Sequence, residues 1–286
     1  MPDFPIIDAH VHLWDPQHFR MSWLDNNELL NKRYSVEEYR EHTKNINVEA
    51  MVYLEVGLAP HYAILEPRWV LERAKEDPRI QGIVAAAPLE YGEQVRAYLK
   101  ELVSFGPLIK GIRRITQGDP PPFCLQPSFI KGTQILSELG LTCDLCINHT
   151  QLANTIELVR QCPKTQFIVD HIAKPNIKEH VLEPWRKEMK EMAALPNVIC
   201  KLSGVPTEAD RANWTEADLK PYVSHVLEVF GEDRVVFGGD WPVALLATTY
   251  ERWVKTVDAL TAHLSPAARK KIFAENARRF YRLQKA

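Results

Sequence analysis

Short apolar runs alternate with amphipathic stretches along the whole chain. Eight β-rich runs read as strands, over 5–13, 48–56, 80–88, 108–115, 141–147, 165–171, 197–203 and 234–240. Between them, stretches such as 61–77, 92–105, 151–162 and 182–195 repeat their apolar residues at helical spacing. A final stretch, 265–283, opens with Ser265-Pro266 and predicts one more helix. Alternating strand and helix imply a parallel sheet. Eight repeats predict an α/β fold, a single (β/α)8 TIM-type barrel with a C-terminal extra helix. No low-complexity linker divides the chain, so one domain over 1–286 is expected. The segment 14–35 reads as a long, aromatic-rich loop after the first strand. Loops in that position build or cover barrel sites.

Residues i and i+2 of a strand share a face. On the first strand Ile6, Asp8, His10 and His12 share one face, and Ile7, Ala9, Val11 and Leu13 the other. The second set is wholly apolar and is expected beneath the helices. The histidines then point into the barrel near the strand's C-terminal end, where barrel active sites sit. The same test puts Met51, Tyr53 and Glu55 inside and Val52, Leu54 and Val56 outside. On the last strand it puts Val236, Gly238 and Asp240 inside. His171 ends the sixth strand and Lys201 lies on the seventh. Arg113 is preferred over Arg114 at the mouth of the fourth, because it shares a face with Gly111. Two imidazoles about 7 Å apart along a strand can grip one metal ion. A third imidazole and a carboxylate complete a set suited to zinc. Without a metal, partners or water, burying these groups is costly.

Composition narrows the class. A length of 286 residues suits a barrel of roughly 250. A net charge of −2 gives no bulk attraction to nucleic acid or membrane. No apolar run approaches a membrane span, and no basic leader precedes the first strand. Five scattered cysteines do not form a disulfide framework, and Cys143 and Cys146 read as core thiols. A cytoplasmic setting is expected.

Five stretches occur in family order: "DAHVHLW", "IKGIRR", "CPKTQFIVDHIAKP", "NVICKLSG" and "DRVVFGGDWPV". With them the sequence resembles the amidohydrolase superfamily, and within it the branch of sugar-acid lactonases (L-fuconolactonase and L-rhamnonolactonase types) and pyrone-dicarboxylate lactonase. The resemblance implies hydrolysis of a cyclic ester. It implies a metal set of His10, His12, His171 and Asp240, with Asp240 as general base and His171 beside it in catalysis. Binuclear relatives use a bridging group on strand four and a histidine ending strand five. Here Lys110 lies on the face opposite Arg113, and His149 falls beyond strand five. At most one divalent metal is therefore expected, zinc first, with metal-free polarisation as the alternative.

Arg113, Glu55, Trp14, Trp241 and Lys201 are the candidate substrate contacts, with Trp23 a further aromatic wall. Structural ion pairs are the competing reading for Arg113, Arg114, Glu55 and Lys201. With no arginine cluster beyond Arg113-Arg114, a neutral aldonolactone such as L-fucono- or L-rhamnonolactone is favoured. The expected partners are that small molecule and, among macromolecules, a second copy of the same protein. The competing functions are a metal-dependent decarboxylase of the same superfamily and a non-catalytic sugar-binding barrel.

Overall fold

A computed structural model describes residues 1–284. Strands β1 (Ile6–Val11), β2 (Val48–Leu54), β3 (Ile80–Ala86), β4 (Ile109–Arg113), β5 (Thr142–Leu145), β6 (Phe167–Val169), β7 (Val198–Leu202) and β8 (Val235–Phe237) form one sheet in chain order. Each pairs in parallel with the next. A parallel bridge between Val11 and Trp241 returns the end of the sheet to its beginning. There the Asp240 N–H donates to the His10 carbonyl at 2.8 Å, and the His12 N–H to the Trp241 carbonyl at 2.8 Å. The barrel thus closes on the residues expected to carry the chemistry.

Helices α1 (Val36–Thr43), α2 (Leu65–Glu76), α3 (Val95–Ser104), α4 (Pro127–Glu138), α5 (Leu152–Gln161), α6 (Trp185–Ala193), α7 (Glu216–Phe230) and α8 (Tyr250–Leu260) follow the strands in turn. This is the (β/α)8 barrel that the alternation predicts. The strands are shorter than the apolar runs, because the C-terminal residues of each run leave the sheet to form the mouth.

The C-terminal helix closes the other end. It runs through α9 (Pro266–Lys270), a π-helical turn (Lys271–Glu275) and α10 (Asn276–Tyr281). Ala274, Ala277, Tyr281 and Leu283 share one apolar cluster with Ile7, Ala9, Val52, Leu54, Val84, Ile168 and Val236. Those strand residues come from five different strands, so they line the barrel interior, and the helix plugs its floor.

This corrects the expected facing on two strands. Ile7, Ala9, Val52 and Leu54 lie inside the barrel, whereas Met51 and Tyr53 join the larger cluster under the helices. Tyr53 donates to Glu66 of α2 at 2.7 Å. Barrel strands are buried on both faces, so apolarity does not say which face is which.

The histidines reach the interior by a bulge. Asp8 pairs with Met51 and Val11 with Tyr53, so three steps along β1 face two along β2. One extra residue flips the alternation. Ile7 and Ala9 face inward before the bulge, and His10 and His12 after it. Asp8 is therefore not on the histidine face. Its carboxylate points outward and accepts from Tyr39 of α1 at 3.0 Å and Tyr250 of α8 at 2.9 Å. It also accepts the N–H groups of His10 at 3.0 Å and Gly239 at 2.7 Å. Burial pushes the Asp8 carboxyl up to about 6 against these four donors.

Candidate active site

Two departures from ordinary backbone build the mouth. After β6 and Asp170, the backbone holds His171, Ile172, Ala173 and Lys174 at φ of 51°, 48°, 61° and 47°. Left-handed residues with a Cβ cost roughly 1–2 kcal/mol each. The turn is pinned from three sides. The Lys174 N–H donates to the His171 carbonyl at 2.9 Å, Trp185 Nε1 donates to the Ile172 carbonyl at 2.8 Å, and His149 Nδ1 lies 2.9 Å from the Lys174 carbonyl. His171 thus stands off the strand end on this turn. The second departure is Asp240, at φ 52°. It follows Gly238-Gly239; at Gly238 a Cβ would come within 2.8 Å of the His10 Cβ, so only glycine allows the two segments this approach.

Four groups converge as a result. The Nε2 atoms of His10 and His12 lie 3.2 Å apart. Asp240 Oδ1 is 3.6 Å from each of them and 3.9 Å from His171 Nε2. All four residues are buried. Burial lowers the basicity of His10 well below the ordinary range and brings His171 down to about 4. Burial raises the Asp240 carboxyl, but His171, His12 and His10 outweigh it and hold the group below the usual carboxylate range. At neutral pH His10 and His171 are therefore uncharged and Asp240 is ionised.

Outer partners fix the rings. His12 Nδ1 lies 2.8 Å from the Leu54 carbonyl, which leaves its Nε2 lone pair facing the site. Ser203 Oγ lies 2.9 Å from His171 Nδ1. Beneath them is a buried ionic layer. Arg113 donates to Glu55 Oε1 at 2.7 Å, to the Glu55 carbonyl and to Asp170 Oδ2 at 3.3 Å. Its Nη1 is 3.3 Å from His10 Nε2. Lys201 Nζ is 2.6 Å from Asp144 and 2.8 Å from Asp170.

The donor set fits a divalent cation. Tetrahedral ligands ~2.0–2.1 Å from one zinc lie roughly 3.3 Å apart, close to the spacing of His10, His12 and Asp240. Lowered basicity at His10 and His171 and a lowered Asp240 carboxyl favour the deprotonated forms that ligands need. The charge balance points the same way. Four buried carboxylates, Glu55, Asp144, Asp170 and Asp240, face two buried cations, Arg113 and Lys201.

Above this floor opens a cavity of about 650 Å³. His12, His171, Asp240, Arg113 and Trp14 line it, as does Trp23 from the 14–35 loop. Trp23 donates to the Val56 carbonyl at 2.8 Å and meets Trp14 edge-to-face. Of the other expected site residues, His10 lies under His12, and Glu55 is bonded to Arg113. The structure does not bring Lys201 or Trp241 to the cavity. Lys201 is 0 % exposed and held by Asp144 and Asp170. Trp241 is 1 % exposed and packs edgewise on Tyr34 and Tyr39. Arg114 pairs outside the site with Glu90 and Asp119, so of the two adjacent arginines it is Arg113 that lines the cavity.

Sequence reasoning passed over Asp170, Ser203, Gly204, Lys174 and Arg211. Asp170 carried a usable signal, since it shares strand parity with Ile168. Gly204 did not. A Cβ there would lie 2.6 Å from His171 Nδ1 and 2.7 Å from Asp240 Oδ2, which only the folded site reveals.

The amidohydrolase family model matches residues 7–283. The chain belongs to the amidohydrolase family. It is 30 % identical to an uncharacterized protein of Sinorhizobium fredii, over 99 % of this chain and 100 % of that one. It is 29 % identical to an L-fucono-1,5-lactonase of Burkholderia multivorans, over 97 % of this chain and 96 % of that one. The crystal structure of a Burkholderia multivorans amidohydrolase with bound zinc superposes with a TM-score of 0.89. That pair is 27 % identical, with 98 % of this chain and 100 % of the other covered.

Proposed function

We propose that this amidohydrolase opens the cyclic ester of a sugar-acid lactone, with Asp240 as general base. The observation that carries the reading is a buried carboxylate within 3.9 Å of three imidazoles at the floor of an open cavity. Similarity to an L-fucono-1,5-lactonase along nearly the whole chain supports the substrate class.

The residues divide the work as follows. Asp240 takes a proton from a water at the cavity floor. The water oxygen attacks the lactone carbonyl carbon, and the carbonyl oxygen gains negative charge. The Arg113 guanidinium, fixed by Glu55 and Asp170 and lining the cavity, provides positive charge for that oxygen. Asp240 then returns its proton to the departing ring oxygen, and the product is the open hydroxy acid. A divalent metal, zinc by preference, held by His10, His12 and Asp240 with His171 adjacent, would supply Lewis-acid charge at the same floor. Trp14 and Trp23 give the ring apolar walls. Among the described residues no helix is long and apolar enough to cross a membrane.

The test is a panel of 1,4- and 1,5-lactones of aldonic and aldaric sugar acids, with and without chelator, read by acid release. Stereoselective hydrolysis is the expected result. A folded protein silent across the panel overturns the reading in favour of a decarboxylase.

A further inference from the structure

The cations around the barrel mouth fall into two groups. Arg113, Arg114 and Lys201 are each matched to two carboxylates. Lys174 and Arg211 both line the cavity, and neither forms an ion pair among the described residues. Lys174 Nζ donates to the Gln117 side-chain oxygen at 2.5 Å, and Arg211 Nε to the Thr207 carbonyl at 3.2 Å. Glu208, next to Thr207, accepts from the Thr207 hydroxyl at 3.3 Å; it makes no ion pair with either cation, although burial raises its carboxyl and the charges of Lys174 and Arg211 both reach it and act to lower it. Among the described residues, Asp240 is the one carboxylate lining the cavity. Its role as base keeps it at the floor.

The placement of Lys174 is built. It closes the run of four left-handed residues, and His149 holds its carbonyl from the neighbouring loop. Unfavourable backbone of this kind persists where the surrounding structure enforces it, and it gathers at ligand sites. Gln117 and Thr207 add an amide and a hydroxyl beside the two charges. The backbone N–H groups of Lys174 and Thr207 already donate to the carbonyls of His171 and Gly204. Neither amide is therefore free to join the kind of nest that phosphate groups favour. An ammonium and a guanidinium with polar neighbours suit a carboxylate.

We infer that Lys174 and Arg211 form a carboxylate subsite, and that the preferred substrate is the lactone of a sugar diacid, with one carboxylate remaining outside the ring. The inference rests on the lactonase reading and replaces the neutral aldonolactone that the sequence favours.

The experiment compares lactones that differ at one terminal carbon: D-galactaro-1,4-lactone against D-galactono-1,4-lactone, and D-glucaro-1,4-lactone against D-glucono-1,4-lactone. Wild type, Lys174→Met, Arg211→Met and the double variant are assayed for kcat and KM. In parallel, calorimetry follows binding of galactarate, the acyclic diacid. Wild type is expected to favour the acidic member by about tenfold or more in kcat/KM, as charge-assisted contacts do. Each variant should collapse that ratio, chiefly through KM, and weaken galactarate binding. Hydrolysis that favours the neutral members, or a ratio unmoved by the variants, overturns the subsite and leaves the lactonase standing. No hydrolysis of any lactone, with galactarate binding lost in the variants, overturns the lactonase and keeps the subsite. Neither hydrolysis nor binding overturns both.

Discussion

The Nε2 atoms of His10 and His12 lie 3.2 Å apart, although the two residues are two apart along extended backbone, His10 in β1 and His12 just past its end. Extended strand geometry separates such residues by about 7 Å along the backbone. The bulge after Asp8 and the hydrogen bond that fixes the His12 ring on Leu54 turn both imidazoles toward Asp240. If that convergence holds a metal, His10→Ala and His12→Ala should each lose it together with activity. Elemental analysis of purified wild type should find about one divalent ion per protein molecule. Variants that keep full metal content, or stripped wild type with full activity, would refute the metal role.

Asp240 tests the mechanism directly. Asp240→Asn keeps the shape of the side chain and removes the base. It should lower kcat by about 10²–10⁴-fold, the usual weight of general base catalysis, with an unchanged circular dichroism spectrum. Turnover close to wild type would exclude Asp240 as the base.

Gly204 touches both partners of the floor. A methyl group there meets His171 Nδ1 and Asp240 Oδ2 well inside contact distance, at a φ of 59°. Gly204→Ala should cut kcat at least tenfold and lower the melting temperature by a few degrees. Ser203→Ala should do less, since it removes one hydrogen bond of about 1 kcal/mol. Kinetics and thermal melts on the two variants give the comparison, and equal effects would contradict the steric account.

Lys201 separates a structural ion from a substrate contact. Its ammonium is fully buried between Asp144 and Asp170. Lys201→Met strands both carboxylates and should cost about 3–5 kcal/mol in urea unfolding. Adding Asp144→Leu should recover part of that loss. A variant with native stability and a raised KM would instead make Lys201 a substrate contact.

Glu66 gives a pH-dependent test. Burial, and then the charge of Glu55, push its carboxyl up to about 8 from an ordinary 4.5. Oε1 accepts from Tyr53 at 2.7 Å and the Val56 N–H at 2.8 Å, while Oε2 has no partner. The folded state thus binds a proton that the unfolded polypeptide has released between these values. The stability this provides is complete below about 4.5 and is lost as pH rises through about 8. Denaturant midpoints of wild type should fall across that window, and Glu66→Gln should flatten the fall. Parallel curves for the two proteins would rule out Glu66 as its source.

Much of this protein was legible in the sequence itself. Period-two and helical spacing are local properties, and eight alternations leave a closed parallel barrel as the economical way to bury them. His12, Arg113, His171 and Asp240 were legible too, because charged or imidazole residues at the C-terminal ends of apolar strands have few places to go but the mouth. What the tertiary structure decided was facing and partnership. Alternation along β1 put Asp8 beside the histidines, and a single bulged residue, invisible without the β2 register, sent it out to Tyr39 and Tyr250. Apolarity put Val52 and Leu54 outside, yet both faces of a barrel strand are buried. Lys201 and Arg211 are equally cationic in sequence, and only the positions of Asp144 and Asp170 make one a neutralised core ion, while the other lines the cavity with no carboxylate in ion-pair range among the described residues. Local pattern fixes which residues need burial or water. Long-range packing fixes which groups meet, because each meeting depends on atoms far apart in sequence.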